Sequence, residues 1–164
     1  MIGNMMIRYA KTGDLDEIAA VEAACFPESK AATREQINER ISAWPDHFWL
    51  LIMDGRLVSF IDGMASDDPD LTDEMYADAG LHRRDGAWQM IFGVCTLPEY
   101  RGKGYASMLM ERVIEDSRTR RRKGIVLTCL ERMVPFYRRF GFAGEGTSES
   151  LHGSVRWVQM RKML

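Results

Sequence analysis

Long apolar runs are missing from this chain, and so is a surplus of charge of either sign. No stretch approaches the roughly 18 apolar residues that a membrane helix needs, and no basic region followed by an apolar core opens the chain. Neither a membrane partner nor a signal peptide is therefore expected. With 22 Lys and Arg against 24 Asp and Glu, the net charge of −2 argues against a general nucleic-acid binder. Cysteine is scarce and odd in number: Cys25, Cys95 and Cys129 lack metal-ligand spacing. Each falls in an apolar stretch, so they read as reduced core thiols of a cytoplasmic protein, and no metal is expected. Two phosphate-binding patterns are also missing. Lys103 lies between glycines with no Ser or Thr after it, which excludes G-x-x-x-x-G-K-[ST]. The dinucleotide pattern G-x-G-x-x-G is met only at its first two glycines, and no repeated βαβ units follow.

What is present is organised around Val94-Cys95-Thr96-Leu97-Pro98-Glu99-Tyr100-Arg101-Gly102-Lys103-Gly104-Tyr105-Ala106-Ser107. The apolar run Met90 to Cys95 predicts one buried strand, which Pro98 ends. A helix is predicted from about Gly104 to Arg118, with Met108, Leu109, Val113 and Ile114 on one stripe. Between them, Gly102 and Gly104 let backbone amides approach a ligand with no Cβ in the way. Those amides open a helix, where unpaired donors and the dipole favour an anion. The stretch suits a phosphate group.

Arg101-Gly102-Lys103-Gly104-Tyr105-Ala106 matches Arg/Gln-x-x-Gly-x-Gly/Ala, and so resembles the pyrophosphate loop of the GCN5-related N-acetyltransferases, the GNAT superfamily. Val134-Pro-Phe-Tyr137-Arg-Arg-Phe-Gly141-Phe142 is similar to that family's FYxxxGF segment. The segments Cys129 to Phe140 and Glu22 to Phe26 are similar to the arylalkylamine N-acetyltransferase branch. The resemblance covers essentially the whole chain, read as one domain over residues 1–164 with room for a sizeable core. It implies an α/β (α+β) fold: a mixed, mostly antiparallel central sheet of about seven strands flanked by helices on both faces, with the coenzyme in a V-shaped opening between two central strands.

In chain order, Ile7 to Ala10 predicts a first strand, and Asp14 with Glu17 a capping box for the first helix. Leu15, Ile18, Ala19, Val21 and Cys25 supply that helix's core stripe. Thr33 caps a second helix ending near Trp44-Pro45. Phe48–Met53 and Leu57–Ile61 are strands joined at Asp54-Gly55, a strong hairpin signal. Residues 65–85 turn acidic and read as a long loop with one helical turn, either a solvated insertion or a path that attracts a cationic amine. The basic run Arg118 to Lys123 either complements the helix dipole or faces the coenzyme's adenosine end. Ile125 to Cys129 predicts another strand, Pro135 opens a short helix, and residues from Phe142 and from Ser154 to Met160 supply the last two strands.

The resemblance also implies roles. Val94, Cys95 and Thr96 would pair with the pantetheine arm of acetyl-CoA, the co-substrate, in the manner of an added strand. Arg101, Gly102, Lys103, Gly104, Tyr105, Ala106 and Ser107 would take its pyrophosphate. A backbone N–H of the central strand, such as that of Val94, would polarise the thioester. Tyr137 would protonate the departing sulfur as general acid. In the arylalkylamine branch two histidines relay the amine's proton, but Met90 and Phe92 stand at the matching positions here, and neither accepts a proton. The base is open among Glu22 and Glu28, with Asp62 and Gln89 weaker. The pocket for a small apolar or aromatic amine is assigned to Phe26, Pro27, Met90, Phe92 and Trp157. His47, His82 and His152 fall outside the matched segments and read as packing or surface residues. A protein N-terminus or lysine as acceptor, and a CoA-binding sensor without turnover, are the rival readings; a monomer or homodimer is expected.

Overall fold

The Asp54-Gly55 pair makes the turn its sequence predicts: both residues have positive φ, +50° and +81°, and the strands on either side pair antiparallel. The computed structural model describes residues 3–147 and 156–164, which leaves His152, Ser154 and Val155 outside the described residues. The chain divides into two compact units, one of Met1–Gly63 with Gly93–Val113 and one of Met64–Phe92 with Ile114–Leu164.

In the first unit, β1 (Met5–Tyr9), β2 (Phe48–Met53), β3 (Arg56–Asp62) and, later in the chain, a strand over Gly93–Thr96 form a four-stranded sheet, antiparallel throughout. Helices α1 (Leu15–Cys25) and α2 (Arg34–Ala43) pack on each other, and α1 packs on β3. Ile18, Ile37, Ile41, Phe48, Leu50 and Phe60 are buried between these elements, with Trp44 stacked on Phe48 at 5.5 Å between ring centres. Thr33 caps α2 as expected: its hydroxyl accepts from the Gln36 amide at 3.1 Å, and the Gln36 side chain accepts from the Thr33 amide at 3.0 Å. The capping box predicted at Asp14 does not form. A 3-10 turn over Thr12–Asp14 precedes α1, and the Asp14 carboxylate accepts instead from Arg8 at 2.8 and 2.9 Å and from the Lys11 amide at 2.7 Å. Glu17 accepts from the Leu57 amide at 3.2 Å.

In the second unit, β4 (Ala65–Ser66), β5 (Trp88–Ile91), β7 (Gly124–Leu130), β8 (Ala143–Thr147) and β9 (Trp157–Met163) form a mixed sheet in the order β4-β5-β7-β9-β8, in which β5 and β7 are parallel. The strand over Gly93–Thr96 is β6. The single strand predicted from Met90 to Cys95 is thus two, because the chain breaks at Phe92: β5 joins one sheet and β6 the other. The fold is the expected mixed α/β arrangement with flanking helices; among the described residues the strands number nine, in two sheets, close to the seven anticipated.

The acidic segment is also more ordered than a loop. It holds β4, α3 (Asp73–Ala77) and a 3-10 turn, and several of its acids have internal partners. Asp70 pairs with Arg161 at 2.9 Å, and Asp67 accepts from the Ala87 amide at 3.1 Å. Helix α4 (Tyr105–Thr119) lies within a residue of its predicted bounds. Beyond it, Arg122 is buried and donates to the carbonyls of Gly86 at 2.7 Å and Arg84 at 3.3 Å, so this member of the basic run anchors a loop. Helix α5 (Val134–Arg138) is followed by Gly141 at φ +93°.

Candidate active site

Within the first unit, β6 is an edge strand: it pairs with β3 on one side through Gly93 opposite Asp62, Val94 opposite Ile61, Cys95 opposite Phe60 and Thr96 opposite Ser59. Ser59 fixes its far end, its hydroxyl donating to the Cys95 carbonyl at 2.8 Å and lying 2.8 Å from Thr96 Oγ1. The period-two pattern turns Gly93 and Cys95 inward and leaves Val94 and Thr96 half-buried.

A 3-10 turn over Pro98–Tyr100 ends β6 and leads to the glycine loop. Arg101 Nε donates to the Thr96 carbonyl at 3.0 Å, which folds the loop's first residue back on the strand. Gly102 and Gly104 have φ of +77° and +83°, a conformation in which a side chain is strained, and a Cβ at either would meet nothing within 4 Å. Residues 101–104 are exposed, and the amide of Met108 donates to the Gly104 carbonyl at 3.1 Å, closing the first turn of α4 directly after the loop. Lys103 Nζ and the Arg56 guanidinium each lie 5.6 Å from the Tyr100 ring centre, adding cations beside the loop.

At the other end of β6 the chain gathers ionisable groups. A Cβ on Gly93 would stand 3.3 Å from Asp62 Oδ1, 3.6 Å from Cys95 Sγ and 3.8 Å from Glu22 Oε1. Glu22 is buried on α1, its Oε2 accepting from the Ala32 amide at 3.3 Å and its Oε1 lying 3.9 Å from Cys95 Sγ. Burial, and then the charge of Asp62, push its carboxyl up to about 7. Asp62 is paired with Arg40 at 3.1 Å, both buried, and burial raises its carboxyl against the pull of that guanidinium. Glu28, the other candidate base, lies exposed in the turn after α1, on the same loop as half-buried Phe26 and exposed Pro27.

Cys95 and Cys129 are free and buried as expected, whereas Cys25 departs from expectation. Cys25 is half-buried, and its Sγ donates to the Thr96 carbonyl at 3.3 Å. The neighbouring Cys95 thiol, and then Arg101, lower it, whereas burial holds Cys95 well above the ordinary range. Neither thiol sits in the purely apolar setting its sequence neighbours suggest, because both point toward charged groups from other elements.

The second unit holds the remaining candidates. Tyr137 is buried on α5 with its ring edge-on to Phe136 at 5.0 Å and to Phe142 at 6.0 Å. Met90 is fully buried in β5, whereas Phe92 is half-buried and lies 4.6 Å from the ring of Tyr76, whose hydroxyl is 3.2 Å from Thr128 Oγ1. Trp157 is half-buried at the start of β9, opposite Leu130. The Gln89 amide donates to the carbonyls of Met90 at 2.8 Å and Met64 at 3.2 Å, a structural task. His47 is buried with Nδ1 2.9 Å from Asp46, and His82 Nδ1 accepts from the Ala65 amide at 3.0 Å, so both are packing residues.

Sequence reasoning missed Arg40 and Tyr76. The signal for Arg40 was available: it shares a buried stripe with Ile37 and Ile41, and a charge on such a stripe requires a buried partner.

Among solved structures, the loading GNATL domain of CurA from Lyngbya majuscula superimposes with a TM-score of 0.84 at 19% identity, over 98% of both chains. A GphF GNAT-like decarboxylase in complex with isobutyryl-CoA gives 0.84 at 22% identity, over 96% of this chain and 98% of the other. The serotonin N-acetyltransferase of Mesocricetus auratus is 32% identical over 110 residues, 66% of this chain and 51% of that protein, so the chain spans about half the length of this curated relative. Residues 15–142 match the acetyltransferase (GNAT) family. A match over that span, carrying the glycine loop and the tyrosine segment, makes this chain a member of the GNAT acetyltransferase family.

Proposed function

We propose that the chain moves the acetyl group of acetyl-CoA to the primary amine of a small amine with an apolar or aromatic body, within one ternary complex. The observation that carries this reading is the layout along β6, an edge strand with a left-handed glycine loop at one end and the buried Glu22 carboxyl, raised to about 7, at the other. The residues present fit acetyl-CoA. The open edge of β6 suits the amides of a pantetheine arm, and the left-handed glycines with open space around them suit a pyrophosphate. Val94 to Thr96 and Arg101 to Ser107 would hold it. When bound, the coenzyme supplies an activated acetyl thioester.

In this reading Glu22 is the base. A primary amine with a pKa near that of lysine, about 10.4, arrives protonated at pH 7. Glu22 Oε1 would accept the ammonium proton, leaving the electron pair on nitrogen. Glu28 is exposed in the turn after α1, whereas Glu22 is enclosed beside Gly93. Tyr137 would give its hydroxyl proton to the departing sulfur, and Phe26, Pro27, Met90, Phe92 and Trp157 would line the amine's body. The family match runs through residues of both units, which supports residues 1–164 acting as one catalytic domain.

The test is release of free CoA thiol across a panel of primary amines, with coenzyme binding measured in parallel. Amine-dependent release, greatest for aromatic and apolar amines, is expected. Binding without release for any amine would replace this reading with that of a sensor.

A further inference from the structure

Two carboxylates converge on one backbone position that has no side chain to separate them. Asp62 reaches Gly93 from β3 and Glu22 reaches it from α1; Oδ1 and Oε1 lie 3.3 and 3.8 Å from the place a Gly93 Cβ would take. The two oxygens are therefore no more than about 7 Å apart, a range over which buried like charges interact strongly. Asp62 is held rigidly. Its Oδ2 accepts from Arg40 at 3.1 Å, and both side chains are under 5% exposed or close to it, at 2% and 5%. Its Oδ1 accepts no hydrogen bond from another described residue, so that oxygen's charge is uncompensated on the side facing Gly93.

The groups around Glu22 are few. Asp62 faces it from β3, Arg40 from α2, the Cys95 thiol from β6, the Ala32 amide from the loop before α2, and Cys25 from its own helix. Arg40 favours the ionised form of Glu22, but its guanidinium is engaged by Asp62. The Ala32 amide favours the same form through a 3.3 Å hydrogen bond. Asp62 is the foremost nearby group whose charge opposes it, with Cys25 a lesser one.

We propose that the Arg40–Asp62 pair is a positioning device for Glu22: Arg40 keeps Asp62 ionised, and Asp62 presents a fixed negative charge that makes Glu22 receptive to the substrate's proton. Asp62 touches no reacting atom. When the ammonium N–H bond breaks and the Glu22 O–H bond forms, two facing negative charges become one, and the electron pair stays on the amine nitrogen. Burial alone would also raise the proton affinity of Glu22, and the role of Asp62 is the part that depends on its charge.

The inference rests on Glu22 as base, but its test reads the carboxyl directly. Protein labelled with 13C at the Glu and Asp carboxyl carbons would be titrated from pH 4 to 9, with Glu22→Gln and Asp62→Asn spectra giving the assignments. In wild type, Asp62 should remain ionised throughout the titration of Glu22. In Asp62→Asn, the Glu22 midpoint should fall by about one pH unit or more, and the acidic limb of kcat/KM should move with it. A Glu22 midpoint unchanged in Asp62→Asn, or an Asp62 that is protonated where Glu22 titrates, overturns the proposal. Should Asp62→Asn fail to fold, the wild-type titration of Asp62, assigned by selective labelling, decides alone. If Glu22→Gln keeps the wild-type rate and pH profile, Glu22 is not the base, yet the carboxyl titration still decides whether Asp62 sets its proton affinity.

Discussion

Asp62 and Gly93 face each other as register partners at the end of β3 and the start of β6, and the absence of a side chain on Gly93 is what lets the Asp62 carboxylate sit there. A β-branched residue would put methyl groups against Asp62 Oδ1, Cys95 Sγ and Glu22 Oε1, all within 4 Å of the first added carbon. Gly93→Val should lower stability by about 2 kcal/mol through overpacking and desolvation of the carboxylates. Urea denaturation checks this, and an unchanged midpoint would mean the carboxylates swing aside freely.

At the glycine loop, the cost of a side chain lies in the backbone. Gly104 has φ +83° and open space around its missing Cβ, so Gly104→Val fits sterically but must adopt a conformation costing about 1–3 kcal/mol or else reorient the loop. Since the helix-opening amides are the expected pyrophosphate donors, acetyl-CoA affinity should drop about 30-fold, an equivalent of about 2 kcal/mol. Calorimetric titration reads it directly. Equal affinity in the variant would remove the loop from the coenzyme site.

The reach of sequence reasoning differs between these two ends of β6. The glycine loop, α4, the Asp54-Gly55 hairpin and the Thr33 cap are local, so spacing and residue type suffice to place them. The break at Phe92 was invisible because Met90 to Cys95 is uniformly apolar, and which sheet each half joins depends on partners about 30 residues away in either direction. The carboxylate cluster was half legible. Glu22 is a candidate base from sequence, but Arg40 and Asp62 meet across 22 residues, and the charge of each is explained only by the other. Asp14 misled because two nearby donors, Arg8 and the Lys11 amide, outcompete the helix for its carboxylate.

Tyr137→Phe keeps the ring that packs edge-on against Phe136 and Phe142 and removes one hydroxyl. Under the proposed role, turnover on the best amine should fall roughly 10- to 1000-fold with the KM for acetyl-CoA little changed. Steady-state kinetics with both substrates varied distinguishes this from a binding defect, which would raise KM instead. A rate within twofold of wild type would assign the proton to another donor.

The three thiols should not react alike. Cys25 is half-buried and lowered by Cys95 and Arg101, whereas burial pushes Cys129 up to about 11. Thiolates are the reactive form, so iodoacetamide at pH 7 should label Cys25 well before Cys129 or buried Cys95. Timed alkylation read by peptide mass spectrometry gives the order, and preferential labelling of Cys129 would contradict it.

Glu22 should also mark the pH dependence of stability. Its carboxyl moves from an ordinary 4.5 to about 7 on folding, so the native state binds the proton more tightly than the unfolded chain. The stabilisation is fully present below about pH 4.5 and is lost as pH rises through 7, a swing of about 3 kcal/mol by linkage. Glu22→Gln cannot ionise and escapes that loss. Ionisable groups away from Glu22 are common to both proteins and largely cancel in the difference. The stability of Glu22→Gln relative to wild type should therefore improve by about 2.5 kcal/mol between pH 5 and pH 8, whatever its value at pH 5. Urea unfolding of both proteins at the two pH values measures it. Parallel stability curves would mean that Glu22 ionises in the native state near its ordinary value, and a buried base poised near neutrality would then have to be sought elsewhere.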